Sequence, residues 1–348
     1  MKKLSEEVSF KRPFVIYKEP GSSLVHILQQ NNDHLFTDVS LKTEGFYFYP
    51  FQPEENLPVV FPVSESSEKE ILYRKLTAEN NEPELKISDM ESLKKEHVRK
   101  VKEAIESINN NEDLQKIIIS SPFKIVSKSF DWQTALLKLM KTYEESFVWA
   151  WFHSAIGFWM GATPELLASY EDRSFETMAL AGTLPVHKNE ALIWSGKEIR
   201  EQQLVTDFIV STLQKYTQKI TVSPPQTVYQ GKIAHIRTKI KAGIESKQKE
   251  EIVLALHPTP AVSGLPVKKA VEQIAKIENI SREYYTGFLG KKTQNYFRFF
   301  VNLRTMQIKD NELIIYAGGG ILGNSHPEKE WEEVKNKAGI LYKIINSA

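Results

Sequence analysis

The sequence contains no cysteine, and it has no excess of charge of either sign. Without cysteine the chain forms no disulfide, performs no thiolate catalysis and holds no cysteine-ligated zinc or iron–sulfur cluster. Its 45 lysine and arginine residues balance 44 aspartate and glutamate residues, which leaves a net charge of +1. This balance provides no basic field to attract nucleic acid or an anionic membrane, so we predict neither as a partner.

Long hydrophobic runs are missing as well. No uninterrupted apolar stretch approaches the roughly 18 residues that span a membrane. The lysines at the N-terminus are not followed by an apolar stretch of signal-peptide length. With 41% hydrophobic and 26% charged residues among 348, the composition is that of a globular protein long enough to bury a core. We therefore expect a soluble, cytoplasmic protein.

Several common catalytic and nucleotide-binding motifs are also absent. The sequence has no G-x-S-x-G, no H-E-x-x-H and no P-loop, so serine hydrolases, zincins and Walker-type NTPases lack their central motif here. The run GGGILG, residues 318–323, does satisfy G-x-G-x-x-G. A dinucleotide site requires a helix directly after such glycines, whereas this chain continues with NSHP. We interpret the run as a strand end where glycine permits a tight turn or the close approach of a ligand.

The strand and helix patterns that are present predict an α+β fold. Runs such as KIIISSPFKIV and FVWAWF arrive in groups, often joined by hairpin-length turns, which favours large antiparallel sheets with flanking helices over a doubly wound parallel sheet. The segment LIWSGKEIREQQLVTDFIVSTLQKY has helical spacing, and its predicted inner face carries Ile199, Val205, Ile209 and Leu213. Residues 1–90 contain short strands and no recognisable chemistry.

Two predicted helices each carry a pair of glutamates three residues apart. Glu198 and Glu201 form one pair, and Glu330 and Glu333 form the other. Residues at this spacing share a helix face, and either pair alone is typical of a solvated surface. If the helices face each other, the four carboxylates repel one another unless a hard cation such as Mg²⁺ neutralises them. The glutamate pattern by itself does not bring the helices together.

A set of ordered sequence blocks supplies that connection. KIIISS, GATPELL, LAGT, KEIREQQLV, HIRT, HPTPAVSGLP, REYYTGFLG, LR and AGGGI with EWEEVKNKA occur in the order and roughly at the spacing of the chorismate-utilising enzymes. The chain resembles this family over about residues 95–345. The resemblance implies one large α+β domain, with residues 1–90 as its variable N-terminal part and residues 91–348 as the catalytic core. It also implies a monomeric, Mg²⁺-dependent enzyme that binds chorismate between two antiparallel sheets.

The resemblance assigns roles to individual residues. Glu201 and Glu333 match the direct metal ligands, with Glu198 and Glu330 nearby or bound through water. Chorismate carries two carboxylates, so Mg²⁺ would meet one and an arginine the other, because arginine can clasp a carboxylate bidentately. The substrate contacts that the resemblance implies are His235, Thr259, Ser263, Gly264, Tyr285, Arg304, Gly319, Gly320 and Lys337.

Two further residues point to the type of reaction. Isochorismate and salicylate synthases carry a lysine at the start of the strand that reads QKIIISS here, which implies Lys116 as the base that activates water for attack at C2. Glu165 in TPELL matches the general acid that protonates the C4 hydroxyl as it leaves. We expect the lysine pKa to lie below about 10.4 and the carboxyl pKa above about 4.3, through burial or neighbouring charge. The leading prediction is an isochorismate synthase.

Other members of the family stay open as alternatives. Salicylate synthases keep the same lysine and glutamate and then eliminate pyruvate. Anthranilate synthases lack the lysine of QKIIISS, and aminodeoxychorismate synthases have a nucleophilic lysine where LAGT has Ala181. A non-catalytic relative that binds chorismate is a further alternative. Gln202 stands where a histidine is common in the family, a difference that concerns fine geometry. The product could enter either menaquinone or siderophore synthesis.

Overall fold

The computed structural model describes residues 2–77, 86–126, 130–186, 192–230, 233–309 and 312–346. Within these ranges, helices form where the sequence has apolar residues at helical spacing. They are α1 (Met90–Asn109), α2 (Trp132–Thr142), α3 (Gly196–Leu213), α4 (Lys249–Leu256), α5 (Val267–Glu278) and α6 (Pro327–Asn346).

The described strands of ten or more residues all lie after residue 115. In chain order they are β1 (Lys2–Lys3), β2 (Phe14–Lys18), β3 (Leu24–Gln30), β4 (Gly45–Tyr49), β5 (Val59–Pro62), β6 (Ser66–Leu72), β7 (Leu76–Thr77), β8 (Lys86–Ile87), β9 (Lys116–Val126), β10 (Phe147–His153) and β11 (Gly157–Thr163). They continue with β12 (Leu166–Glu171), β13 (Ser174–Pro185), β14 (Ile220–Val222), β15 (Gln226–Gln230), β16 (Ile233–Gly243), β17 (Gly264–Leu265), β18 (Phe288–Lys292), β19 (Phe297–Val301), β20 (Thr305–Lys309) and β21 (Glu312–Ile321).

Most of these strands build two large antiparallel sheets. The first sheet has the order β17-β9-β21-β20-β11-β10-β2-β3-β6, with β8 also on β9. The second sheet has the order β14-β16-β13-β12-β19-β18-β4-β5, with β15 also on β16. Helices α1, α2, α5 and α6 pack on the first sheet, and α3 and α4 pack on the second. This architecture confirms the predicted α+β fold with large antiparallel sheets and flanking helices.

The glycine run lies in the first sheet beside the predicted β-branched strand. Gly319 pairs with Ile119 and Gly320 with Ile118, so β21 and β9 run side by side where the sequence blocks AGGGI and KIIISS meet. Residues 116–121 of β9 are all buried. The run is therefore the end of a strand, as its context in the sequence indicates, and no helix begins directly after it.

Helix α3 presents one stripe of side chains to the core. Val205, Ile209 and Leu213 are buried, as their spacing of four residues predicts. Ile199 is 53% exposed, so its predicted place on this face is wrong. At about 100° per residue, the six positions between Ile199 and Val205 rotate it about 240° away from the stripe. Glu201 lies four residues before Val205, and its side chain is 13% exposed.

The N-terminal strands take part in both sheets. Strands β2, β3 and β6 extend the first sheet, whereas β4 and β5 extend the second. The division at residue 90 into a variable part and a catalytic core stays a prediction. No helix in the described parts of the chain is both long and apolar enough to cross a membrane.

Candidate active site

A cavity of about 110 Å³ opens between the two sheets. A single water needs only about 10–15 Å³, so this space accommodates a ligand of several atoms. Strands β9 and β21 supply one wall, β13 and β16 supply the other, and α3 and α6 each contribute a charged side chain. The titratable side chains that line it are Glu165, Glu201, His235, Tyr285, Arg304, Tyr316 and Lys337.

Gly320 allows a carboxylate and an ammonium group to approach strand β21. A Cβ atom at this position would lie 2.3 Å from Oε1 of Glu201 and 3.0 Å from Cε of Lys116. An ion pair fills the space instead, with Nζ of Lys116 lying 2.8 Å from Oε1 of Glu201. Lys116 is 0% exposed and does not line the cavity, whereas Glu201 does. The predicted base is thus held behind a predicted metal ligand.

Gly319 faces the second acidic pair, on helix α6. A Cβ atom at this position would lie 3.7 Å from Oε1 of Glu333 and 3.8 Å from Oε2 of Glu330. One turn further along α6, Nζ of Lys337 donates to Oε1 of Glu333 at 2.7 Å and to the carbonyl oxygen of Gly318 at 3.1 Å. Because Gly319 and Gly320 have no side chains, acidic side chains from both α3 and α6 lie close to strand β21.

Lys197, which the sequence analysis missed, connects the two acidic helices. Its Nζ on α3 donates to Oε1 of Glu330 on α6 at 2.6 Å. Burial lowers the pKa of Lys197, but the attraction of Glu330, Glu333 and Glu201 outweighs burial and raises the pKa overall. Its position in the sequence offered a signal, because Lys197 lies four residues before Glu201 and shares its helix face.

The carboxyl groups respond differently to their surroundings. Burial raises the pKa of Glu201, yet nearby ammonium groups, Lys116 foremost, outweigh burial and lower the pKa overall. Burial also raises the pKa of Glu330, and repulsion from Glu333 adds to this effect, so the attraction of Lys197 does not restore the ordinary value. Glu201 is therefore favoured in its ionised form, whereas Glu330 keeps its proton more readily than an ordinary glutamate.

The four predicted metal ligands do not form a ready-made cage. Glu198 accepts a hydrogen bond from the backbone N–H of Ser195 at 3.0 Å, as part of a capping box at the start of α3. In the part of the chain that is described, no group of three or more acidic or histidine side chains is arranged to hold a metal ion. Glu201, Glu330 and Glu333 are hard oxygen donors of the kind that suits Mg²⁺, and each now pairs with a lysine. The chemistry of this donor set fits Mg²⁺.

Glu165 is the buried carboxyl group on the second sheet's side of the cavity. It is 3% exposed, and its carbonyl oxygen accepts a hydrogen bond from the backbone N–H of Val301 at 2.9 Å. Burial raises the pKa of Glu165 to about 8, although Lys116 and other cations nearby act in the opposite direction. Its carboxyl group is therefore mostly protonated at neutral pH, which agrees with the raised pKa expected of a general acid.

His235 is fixed as a neutral imidazole next to Arg304. Its Nδ1 donates to the carbonyl oxygen of Gly182 at 3.0 Å, so Nε2 accepts from Nη2 of Arg304 at 3.2 Å. Burial and the charge of Arg304 lower the pKa of His235 to about 3. Gly182 has a φ of +72° and lies at a register shift between β13 and β16, which marks a β-bulge. Glycine inside this strand was the sequence signal for the bulge.

Tyr285 and Arg304 provide donors on the cavity wall. The ring of Tyr285 stacks on that of Tyr316, with centroids 5.3 Å apart. Its hydroxyl oxygen would lie 3.2 Å from a Cβ atom at Gly318, so it points to the glycine run. Burial lowers the pKa of Arg304 to about 10, which leaves it cationic at neutral pH. A phenol and a guanidinium are the donors that recognition of a carboxylate requires.

Three predicted substrate contacts lie behind the wall of the cavity. Thr259, Ser263 and Gly264 do not line the cavity, whereas their neighbours Ala261 and Val262 do. The hydroxyl of Ser263 donates to the carbonyl oxygen of Thr259 at 2.8 Å and so closes the turn. Gly264 has a φ of +132°, and a Cβ atom there would lie 2.2 Å from the carbonyl oxygen of Lys116. In this structure these residues shape the turn and lie outside the lining of the cavity.

Comparison with known proteins adds sequence and fold relatives. A family profile described as chorismate binding enzyme matches residues 49–346. Isochorismate synthase MenF of Escherichia coli (strain K12) is 38% identical over 197 residues, which are 53% of this chain and 45% of that protein. Isochorismate synthase MenF of Haemophilus influenzae is 30% identical over 258 residues, which are 70% of this chain and 59% of that protein. The chain thus spans about half the length of the relatives it matches.

A solved structure supports the fold. The crystal structure of DhbC from Bacillus anthracis matches with a TM-score of 0.82 and covers 99% of this chain and 98% of that chain. The sequence identity is 23%, so the likeness concerns the architecture of the two sheets and their helices.

Proposed function

Because the chain belongs to the chorismate binding enzyme family, we propose that it is an isochorismate synthase. The reaction would add water at C2 of chorismate and release the C4 hydroxyl as water, so its product is an isomer of the substrate. One observation carries the proposal. Glu165 lines the cavity with a pKa raised to about 8, and Lys116 is buried just behind the cavity surface, close enough for its charge to act on Glu165.

Glu165 would act as the general acid. Hydroxide is a poor leaving group unless it receives a proton as the bond to C4 breaks. A carboxyl group with a pKa of about 8 still holds that proton at neutral pH, and its burial keeps bulk water away from the proton. After the transfer, the carboxylate is next to the ammonium group of Lys116, which stabilises the new charge.

Lys116 would act as the base, accepting a proton from the water that attacks C2. Only the neutral amine can accept that proton, so the ammonium group of Lys116 first has to release its own proton. The ion pair with Glu201 holds Lys116, in its protonated form, just behind the cavity surface. A shift of the Glu201 carboxylate into the cavity would uncover Lys116 for the attacking water.

Glu201, Glu330 and Glu333 are the residues that we propose hold Mg²⁺. When bound, Mg²⁺ would neutralise one carboxylate of the dianionic substrate. Arg304 and Tyr285 would bind the other carboxylate, because both line the same cavity. The support for this assignment is the chemistry of the donors and their position on either side of the glycine run.

The direct test is a product assay with chorismate and Mg²⁺, followed by chromatography. Isochorismate is the expected product, and Lys116→Met should abolish it because that variant keeps the volume and removes the amine. Salicylate with pyruvate would identify a salicylate synthase, and a requirement for ammonium would identify an amine-transferring enzyme. No turnover, together with a raised melting temperature when chorismate is added, would indicate a non-catalytic binding protein. A cytoplasmic monomer remains our prediction from the sequence.

A further inference from the structure

The buried ion pair between Glu278 and Arg282 takes the place of a neighbouring strand beside the middle of β9. One edge of β9 pairs with β21, and its other edge pairs with β17 at residues 116–117 and with β8 at residues 125–126. Between these two short strands, Nη2 of Arg282 donates to the carbonyl oxygen of Ile118 at 2.8 Å. The backbone N–H of Ser120 donates to Oε1 of Glu278 at 2.6 Å. Two side chains therefore satisfy the backbone groups that a strand would otherwise pair.

The pair itself is tightly built and fully enclosed. Nε and Nη2 of Arg282 donate to the two carboxylate oxygens of Glu278 at 2.9 and 2.6 Å, and the two side chains are 1% and 0% exposed. The guanidinium also lies over the ring of Phe51, 4.6 Å from its centroid. Such a bidentate geometry fixes orientation as well as distance. The pair therefore fixes the position of the β9 backbone at Ile118 and Ser120.

That backbone forms part of the active-site cavity. Nη1 of Arg282 donates to the carbonyl oxygen of Val262 at 2.8 Å, and both Val262 and Ile118 line the cavity. Lys116 lies two residues before Ile118 on the same strand. One guanidinium thus joins the turn that carries Val262, the strand that carries the proposed base, and the end of α5.

We infer that Glu278 and Arg282 are positioning residues, which hold the Ile118 and Val262 walls and fix the strand that presents Lys116. This inference rests on the proposed function for its effect on turnover. A misplacement of about 1 Å at a reacting group can reduce a rate by about 100-fold. The loss of the Glu278–Arg282 ion pair should therefore reduce kcat far more than it changes KM.

The test requires removal of both charges at once. A single substitution would leave an uncompensated buried charge and destabilise the whole fold. The double variant Glu278→Leu/Arg282→Met leaves no unpaired charge, so its cost in stability is confined to the backbone groups of Ile118, Ser120 and Val262 that lose their hydrogen-bond partners. We expect this variant to melt cooperatively, with kcat reduced at least about 10-fold and KM changed less than about 3-fold. We also expect the amide of Ser120 to exchange with solvent at least about 10-fold faster, because its acceptor is gone.

Two further variants complete the experiment. Glu278→Gln/Arg282→Met restores an acceptor for the Ser120 amide, so slow exchange and part of kcat should return. If the first variant does not fold, this variant is compared with wild type in its place. Glu96→Gln/Lys100→Met is the matched control, because this pair has the same i,i+4 spacing and a buried cation. It should leave kcat and the exchange of Ser120 unchanged. Wild-type kcat and wild-type exchange in Glu278→Leu/Arg282→Met would overturn the inference. If the wild-type protein does not turn over chorismate, the proposed function fails, and the exchange of Ser120 decides the inference by itself.

Discussion

Oε1 of Glu201 lies 2.8 Å from Nζ of Lys116, and the carboxylate faces the cavity while the ammonium group behind it is completely buried. The two residues come from a helix on the second sheet and a strand of the first, so this ion pair joins the two sides of the candidate site. Gly320 leaves room for this contact, since a Cβ atom there would lie 2.3 Å from Oε1 of Glu201.

Removal of the carboxylate should therefore cost stability. We expect Glu201→Gln to reduce the free energy of unfolding by about 3–5 kcal/mol, because the buried ammonium of Lys116 loses its counter-charge. Chemical denaturation would measure this change. Glu332→Gln is the control, because the exposed pair of Glu332 with Lys335 contributes at most about 1 kcal/mol. Equal effects of the two substitutions would show that the Lys116 ion pair is not formed in solution.

Stability should also depend on pH through Glu165. Its pKa rises from an ordinary value of 4.5 to about 8 in the folded protein, so the folded state keeps a proton that the unfolded state loses. The contribution of Glu165 to stability is complete below about pH 4.5 and is lost as the pH rises towards 8, by on the order of 3–5 kcal/mol. Glu165→Gln cannot ionise, so the variant should gain stability relative to wild type across this window. Parallel stability profiles for the two proteins would contradict the raised pKa.

The same group should control the rate above neutral pH. As the pH passes 8, the proposed acid loses its proton, and kcat should fall with a pKa near that value. Glu165→Gln should have lost most activity at every pH, without this descending limb. A kcat that stays level from pH 7 to pH 10 would exclude Glu165 as the acid.

The close approach at the glycine run gives a fourth prediction. In Gly320→Ala, the new methyl group meets the ends of the Glu201 and Lys116 side chains, which can move aside. We expect a loss of only about 1 kcal/mol in stability but at least a ~10-fold drop in turnover, since both proposed functional groups are displaced. Gly339→Ala on α6 is the control, because its Cβ atom would contact nothing within 4 Å. That change should stabilise the protein by about 0.8–1.0 kcal/mol through helix propensity.

The proposed metal grip can be separated from surface charge on α6. Glu333 pairs with Lys337 beside the glycine run, whereas Glu332 pairs with Lys335 on the exposed side of the helix. We expect Glu333→Ala to raise the Mg²⁺ concentration needed for half-maximal activity at least about 10-fold, and Glu332→Ala to leave it unchanged. Titration of Mg²⁺ by calorimetry would provide a readout that does not depend on turnover. Identical Mg²⁺ affinities would remove Glu333 from the proposed ligands.

The sequence was most informative where a residue's role depends on local pattern. The α+β class follows from the grouping of strands between short turns, and the strand KIIISS follows from its β-branched residues. The buried face formed by Val205, Ile209 and Leu213 follows from helical periodicity. The predicted burial of Ile199 was wrong because the buried face of α3 is a narrow stripe, and Ile199, six positions before Val205, faces solvent. The pairing of two acidic helices could be suspected from spacing, but only the family resemblance brought them together before the structure did.

Other features depend on contacts between distant parts of the chain and have no local signal. Thr259, Ser263 and Gly264 belong to a recognised block, yet the turn directs their neighbours Ala261 and Val262 into the cavity. The ion pair of Glu278 and Arg282 connects the end of a helix to a strand more than 150 residues earlier in the chain. Spacing of four residues predicts an ion pair on a helix surface, but not that it is buried or which backbone groups it holds.

The position of β21 has a consequence for how the protein is made. This strand pairs with β9 along its length, from Glu312 opposite Val126 to Ile321 opposite Ile117, and more than half of the chain lies between the two strands. During synthesis, β9 leaves the ribosome long before its neighbour exists. A nascent chain released before β21 would expose a long apolar strand edge, the kind of surface that aggregates or is held by chaperones.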